Sequence, residues 1–399
     1  MRTIVVVPDS FKGTMSSIQV CEIMVRALRR HLDAEVVALP VADGGEGTVD
    51  AYLAAVGGRK VVVPVTGPLS APVEGFFGVL DDGTAVVEMA AAAGLPLVKP
   101  ELGPEGTATE SDEESTSLAR TTTYGAGELI LAAVRTGAEK IIVGLGGSAT
   151  TDMGTGAAAA VGVRFFDEAG KEFVPRSGTL DRIAHVDLSG LDPRVRDADI
   201  QVMCDVDNPL FGPRGAAYVF GPQKGATPEL VEVLDRGLRH ASAVVEQDCG
   251  VDIANLKGGG AAGGMGAGMV GFFGATLNRG IDVVLDTVGF DGFVRRADLV
   301  ITGEGCLDAS SLDGKVVVGV ARRVRTLSTV GSAQSVPVIA VVGDIREGFE
   351  PVFDEGVTAV FSTNAKAVRF SEARLSAAHD LDLTMDNIAR VLSVLSLRI

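Results

Sequence analysis

Apolar positions in this chain follow two different rhythms. Ile4-Val5-Val6-Val7 is a short continuous apolar run, as in a strand buried on both faces, and Ile18, Cys21, Met24, Val25 and Leu28 then recur at helical spacing. Glu35–Leu39 predicts a second strand and Thr48–Val56 a second helix, and strands alternating with helices at this spacing imply a parallel sheet. Beyond residue 60 the rhythm changes. Lys60–Val65, Val73–Val79 and Thr84–Met89 read as strands joined by Pro, Gly and Asp turns, Asp82-Gly83 among them, which predicts antiparallel hairpins.

The polar, acidic stretch Glu101–Ser117 reads as a surface loop, after which the α/β alternation resumes. Helices are expected at Tyr124–Thr136, Gly154–Val163 and Pro228–Gln247, and strands at Lys140–Val143 and Ile200–Cys204. A Gly/Ala-rich segment covers Gly258–Gly274. Strands Leu299–Thr302, Val338–Val342 and Ala359–Ser362, with helices at Lys315–Val324 and about Glu372–Leu397, complete the chain. This pattern predicts an α/β protein of two domains. One is built from both chain ends, 1–62 and 288–399, and the second, 63–287, is an inserted mixed α/β domain. A ligand cleft is then expected between the domains or at the C-terminal ends of the parallel strands.

Composition narrows the function classes. The 399 residues carry 35 Lys+Arg against 52 Asp+Glu, a formal charge of −17. Such a field repels phosphate backbones and anionic lipid, so nucleic acid and membrane are poor partners, and any anionic ligand needs local positive charge or backbone N–H groups. The four cysteines and four histidines are scattered with no C-x-x-C, which argues against a Cys/His zinc site. No apolar run approaches the ~18 residues a spanning helix needs, so the chain reads as a reduced, soluble, cytoplasmic protein.

Candidate chemistry gathers in five glycine-containing turns: Asp9–Gly13, Asp43–Thr48, Gly144–Asp152, Gly258–Gly268 and Thr302–Gly305. Successive N–H groups in such turns can cradle an oxyanion. Ser10, Gly44, Gly45, Gly146, Gly147 and Ser148 are therefore candidate phosphate contacts. Gly144–Ala149 also matches the dinucleotide fingerprint G-x-G-x-x-A, with Asp167 at the distance of its ribose-binding acid, which keeps a nicotinamide-dependent oxidoreductase open. Gly314-Lys315 lacks the remainder of a Walker A loop, the protein-kinase signatures are missing, and no G-x-S-x-G elbow supports a serine hydrolase.

Asp205 and Asp207 after strand Ile200–Cys204 are candidate Mg²⁺ ligands, since Mg²⁺ takes one or two carboxylates plus phosphate oxygens. Glu304 and Asp308 stand at the mouth of an apolar strand. Asp152 precedes a helix, where it either caps the N-terminus or acts as a base or metal ligand. In so acidic a chain, Lys12, Lys224 and Lys315, each beside a glycine turn, are the candidate anion ligands.

Together these segments resemble the bacterial glycerate kinase family, of the type related to the glycerate 2-kinases. The resemblance rests on DSFKG at 9–13, PVADGGEGT at 40–48, VEMAAAAGL at 87–95, TTTYGAGELI at 121–130, GLGGSATTD at 144–152, CDVDNPL at 204–210, FGPQKGA at 220–226, GAAGG at 260–264 and TGEG at 302–305 with Gly314-Lys315. They occur in family order across nearly the whole chain. The resemblance implies a flavodoxin-like domain, built from both chain ends, and ATP- and Mg²⁺-dependent phosphorylation of D-glycerate to 2-phosphoglycerate, with 3-phosphoglycerate open. It leaves a homodimer open, and a glycerate or nucleotide sensor without catalysis stays an alternative.

For phosphoryl transfer, Asp205 and Asp207 are assigned metal or substrate-orienting roles, and Lys12 and Lys315 contacts to phosphate or carboxylate. Asp43, Asp152 or Glu304 would accept the hydroxyl proton. The chain departs from the family pattern at four positions. Thr151 and Met153 stand where Asn and Gly are usual, Cys306 where Arg is usual and Ser310 where Gln is usual. The stretches Glu101–Ser117 and Thr326–Ser335 read as insertions.

Overall fold

The computed structural model describes residues 2–98, 115–331, 335–364, 366 and 369–396. Most of the expected loop Glu101–Ser117 lies outside the described residues; its last residues open the helix Ser115–Arg120. Of Thr326–Ser335, the first part is the end of helix Val316–Gly331, and 332–334 lie outside the described residues.

In chain order the strands of the two main sheets are β1 (Arg2–Pro8), β2 (Ala34–Ala38), β3 (Arg59–Thr66), β4 (Pro72–Val79), β5 (Ala85–Glu88), β6 (Lys140–Gly144), β7 (Asp199–Met203), β8 (Thr276–Asn278), β9 (Leu299–Gly303), β10 (Val338–Val342) and β11 (Ala359–Ser362). The chain divides into two compact units. The first comprises Met1–Asp43, Asp50–Gly57 and Arg279–Ile399, and the second Gly44–Val49 and Gly58–Asn278.

The first unit holds a five-stranded sheet of order β2-β1-β9-β10-β11, with every pair parallel. Counted within the unit this is the order 2-1-3-4-5 of flavodoxin-like sheets. Ile4, Val6 and Ile301 pack on one face against Val20, Met24 and Leu28 of helix Ser17–Arg29 and against Leu381, Met385 and Ala389 of helix Phe370–Ser396. Val5, Val7 and Val300 face the other way and are equally buried. Each such side chain removed from water contributes about 1.5–3 kcal/mol, so β1 is held from both faces. The crossovers leave β1 in opposite directions toward β2 and β9. The C-terminal ends of β1 and β9 therefore diverge into a crevice, the usual ligand position of an open parallel sheet.

The second unit has a six-stranded mixed sheet of order β8-β7-β6-β5-β4-β3. The β3–β4 and β4–β5 pairs are antiparallel, as the turns predict, and the rest are parallel. The expected helix 154–163 stops early, at Thr155–Ala160. Gly162 there has φ +105 and lies against Gly190 carbonyl oxygen, a backbone geometry no helix continues through.

Candidate active site

The first unit opens a cavity of about 360 Å³ where its parallel strands end. β1 delivers Asp9, Ser10 and Lys12; the segment after β2 delivers Asp43; the segment after β9 delivers Glu304, Cys306, Asp308 and Lys315. Asp344 and Arg346 come from beyond β10, and Arg374 from helix Phe370–Ser396. β1 and β9 run in register from Ile4 opposite Leu299 to Pro8 opposite Gly303, and Asp9 N–H donates to Gly303 carbonyl at 2.9 Å. This pairing brings the acids that follow each strand, Asp9 and Glu304, side by side.

Their surroundings set their protonation. Glu304 is only 4% exposed. Burial pushes its carboxyl up to about 7, against the opposing pull of a hydrogen bond from Ser311 and the charge of Lys315, with Asp308 and Asp43 adding repulsion. Asp9 is also raised, first by burial and then by repulsion from Asp43, although Ser10 N–H donates to it at 2.6 Å. Asp308 goes the other way. It caps the turn Ala309–Asp313, accepting from Ser310 N–H at 2.9 Å and Ser310 Oγ at 2.5 Å, and those bonds hold it below the usual carboxylate range. The result is a pair of acids, Glu304 and Asp9, raised toward neutrality beside cationic groups, an arrangement suited to taking a proton from a hydroxyl while anions are held nearby.

Cys306 lines this cavity half-buried, on a short bridge that pairs it with Asp344, and burial pushes its thiol up. Guanidinium charge is supplied there by Arg346, whose backbone N–H donates to Leu307 carbonyl at 2.9 Å, and by Arg374.

The cavity thus gathers Ser10, Lys12, Asp43, Glu304, Asp308 and Lys315 of the sequence-derived candidates. Asp9, Asp344, Arg346 and Arg374 escaped the sequence reading. Asp9 had a usable signal: it follows a buried apolar strand and precedes a glycine turn, as Glu304 does. The two arginines had none, since each stands in an ordinary polar context.

The remaining candidates belong to the second unit. Asp152 is fully buried and accepts from Thr123 N–H (2.7 Å), Thr123 Oγ1 (2.9 Å), Gly154 N–H (3.1 Å) and Gly156 N–H (3.3 Å). It ties the starts of helices Tyr124–Arg135 and Thr155–Ala160 together, although their N-cap residues are Thr123 and Gly154, and burial raises its pKa. Lys224 is 4% exposed and donates to Thr150 carbonyl at 2.6 Å and Ser148 Oγ at 3.5 Å; burial pulls it down to about 7. Gly146 N–H donates to Gly44 carbonyl at 3.0 Å, and a Cβ at Gly146 would lie 2.5 Å from Gly45 Cα. Close backbone packing therefore accounts for Gly146, and a left-handed φ of +93 for Gly44. Gly147 has φ +74 at the turn that follows.

The dinucleotide fingerprint lacks its context, because no helix opens at Ala149. Asp167 closes a hairpin turn, accepting from Ala169 and Lys171 N–H at 3.0 Å each.

Asp205 is half-buried after β7, while Asp207 is exposed and paired with Lys257 at 2.9 Å. Among the described residues no three His, Cys, Asp or Glu side chains form a metal-sized group. One or two carboxylates suffice for a Mg²⁺ ion that arrives with most of its shell made of water and phosphate oxygens. All four cysteines are free, and among the described residues no helix is long and apolar enough to cross a membrane.

Comparison with known proteins places these features in context. The glycerate kinase family model matches residues 4–393. A glycerate kinase of Bacillus subtilis is 43% identical over 388 residues, covering 97% of this chain and 96% of the relative. The glycerate 2-kinase of Escherichia coli K12 is 40% identical over 393 residues, 98% of each chain. A crystal structure described as glycerate kinase 2 from Salmonella typhimurium LT2 superposes with a TM-score of 0.84 at 40% identity, covering 99% of both chains. With a family match over almost its entire length, two such relatives and the same fold, the chain belongs to the glycerate kinase family.

Proposed function

We propose that this protein transfers the γ-phosphoryl group of ATP to the 2-hydroxyl of D-glycerate, giving 2-phosphoglycerate. The observation that carries the reading is the buried Glu304, poised near neutrality in a cavity that also holds Lys12, Lys315, Arg346 and Arg374. The 2-position is favoured by the relative that is named a glycerate 2-kinase.

In this reading Glu304 accepts the hydroxyl proton as the substrate oxygen bonds to phosphorus and the bond to the β-phosphate oxygen breaks, releasing ADP. Burial, with repulsion from Asp308 and Asp43 added, holds the proton affinity of Glu304 high enough to do so near neutral pH. Lys12 and Lys315 offset charge on phosphate, and the guanidinium forks of Arg346 and Arg374 suit a carboxylate. Mg²⁺ would neutralise the nucleotide's phosphates when bound. Asp205 and Asp207 are its candidate ligands, and Gly147 and Ser148 remain candidate phosphate contacts.

The test is incubation with ATP, Mg²⁺ and D-glycerate, following ADP release and resolving the product by phosphorus NMR. Glycerate-dependent ADP with 2-phosphoglycerate as sole product is expected. The 3-isomer would overturn the regiochemistry, and no ADP from folded protein would overturn the reaction. Asp205→Asn should lower kcat with folding intact; unchanged turnover would remove Asp205 from the mechanism.

A further inference from the structure

One short turn touches both kinds of chemistry in the cavity. Ser311 is fully buried; its Oγ donates to Glu304 Oε1 at 2.5 Å and accepts from Asp308 N–H at 3.3 Å. Its neighbour Ser310 is exposed, donates through Oγ to Asp308 Oδ1 at 2.5 Å, and accepts from Lys315 Nζ at 2.7 Å. Asp308 sits at the centre as N-cap of the turn Ala309–Asp313, and Gly314, at φ +99, ends it just before Lys315.

We propose that this turn is a positioning element with two separable arms: Ser311 fixes the orientation of Glu304, and Ser310 fixes Lys315. The proposal rests on Glu304 acting as the proton acceptor. With Oε1 engaged by Ser311 and no hydrogen bond to Oε2 from the described residues, the rotation of the carboxylate is set and Oε2 is the oxygen that meets the substrate hydroxyl. The arms differ in what they should control. A donated hydrogen bond favours the ionised carboxylate, so Ser311 lowers the proton affinity that burial raises. The other charges facing Glu304 are Asp9 and Asp43 from the ends of β1 and β2, and Asp308 and Lys315 around the turn. Lys12 after β1, Asp344 and Arg346 from beyond β10, and Arg374 and Asp380 of helix Phe370–Ser396 line the same cavity. Ser310 touches none of the Glu304 oxygens; its side chain contacts Asp308 and Lys315.

The experiment measures kcat/KM against pH for wild type, Ser311→Ala, Ser311→Thr, Ser310→Ala and Glu304→Gln, each with its Tm. Ser311→Ala should lower kcat about 10- to 100-fold, the usual loss for one hydrogen bond to a charged group. It should also move the acidic limb to higher pH by about one unit. Ser311→Thr, which keeps the hydroxyl, should return the limb to its wild-type place even where the extra methyl lowers Tm. Ser310→Ala should raise KM for ATP about 3- to 10-fold and leave the limb unmoved. If Glu304→Gln abolishes turnover while Ser311→Ala keeps the wild-type limb, the positioning proposal is overturned and the base assignment survives. A Glu304→Gln enzyme with full turnover and its limb intact overturns the base assignment, and the proposal with it. Equal limb shifts in both serine variants, tracking Tm, would reduce the turn to scaffold and overturn the separation of its arms.

Discussion

Glu304 and Asp152 are both buried carboxylates in segments that follow a parallel strand, one in each unit. Glu304 accepts a single side-chain hydrogen bond, from Ser311, and lines a cavity. Asp152 accepts four hydrogen bonds, all from the start of two helices. The lysines divide in the same way. Lys12 and Lys315 line the cavity, whereas Lys224 is enclosed and holds a backbone carbonyl. Acid and lysine beside glycine turns thus serve two ends, and what separates them is how many donors the local backbone aims at the carboxylate.

The largest effects should come from removing each acid. Glu304→Gln keeps shape and hydrogen-bonding capacity but cannot take a proton, so kcat should fall about 10²- to 10⁴-fold with Tm nearly unchanged. Asp152→Ala strands four donors and leaves Lys224 without its counter-charge, and should cost about 3–5 kcal/mol of stability. Kinetics and thermal melts of both variants check the pair, and an Asp152→Ala enzyme with native Tm would erase the contrast.

A smaller effect is the pH dependence of stability, where the two units pull in opposite directions. Glu304 has its pKa raised from 4.5 to about 7, so the folded state holds a proton that the unfolded chain releases. Its contribution is full below about 4.5 and declines as pH rises to 7; Asp9, also raised, acts in the same sense. Lys224 is lowered from 10.5 to about 7, so the unfolded chain binds a proton that the folded state does not. Stability from this group therefore rises with pH between about 7 and 10.5, by several kcal/mol at most. Lys224→Met should flatten that upper slope in urea titrations and leave the lower one in place.

The smallest effect concerns backbone strain. Ala262 has φ +52 and Met153 φ +56, both left-handed and neither glycine. Ala262→Gly should stabilise by about 1 kcal/mol by relieving the Cβ clash. Met153→Gly relieves similar strain but empties a fully buried side-chain site, a loss of about 2–5 kcal/mol, so its net effect should be destabilising. Denaturant midpoints of the two variants should move in opposite directions.

Much of the scaffold was legible because β1, β9 and β10 are continuous apolar runs and the helices between them carry clear helical spacing. The turn after each run carries its acid, Glu304 after β9 and Asp9 after β1. The division between the two kinds of glycine turn was hidden. Gly146 looks like an anion-cradling residue in sequence, yet its N–H is bonded to Gly44 and its missing Cβ makes room for Gly45. Such backbone-to-backbone approach joins residues about a hundred positions apart, and no local pattern encodes it. Arg346 and Arg374 were hidden for the same reason, since only the folded sheet brings them to the cavity.

The pairing of β1 with β9 has a consequence for synthesis on the ribosome. Thr302 Oγ1 donates to Val7 carbonyl across 295 positions of sequence. At about 5–20 residues per second, roughly 15 to 60 s pass between the emergence of the first strand and that of its partner. During that interval the inserted unit can fold, while Ile4–Val7 has only β2 beside it. The nascent chain therefore carries an unpaired apolar strand edge for most of its translation, and holding that edge safe from other chains is a task for chaperones or for the speed of the ribosome itself.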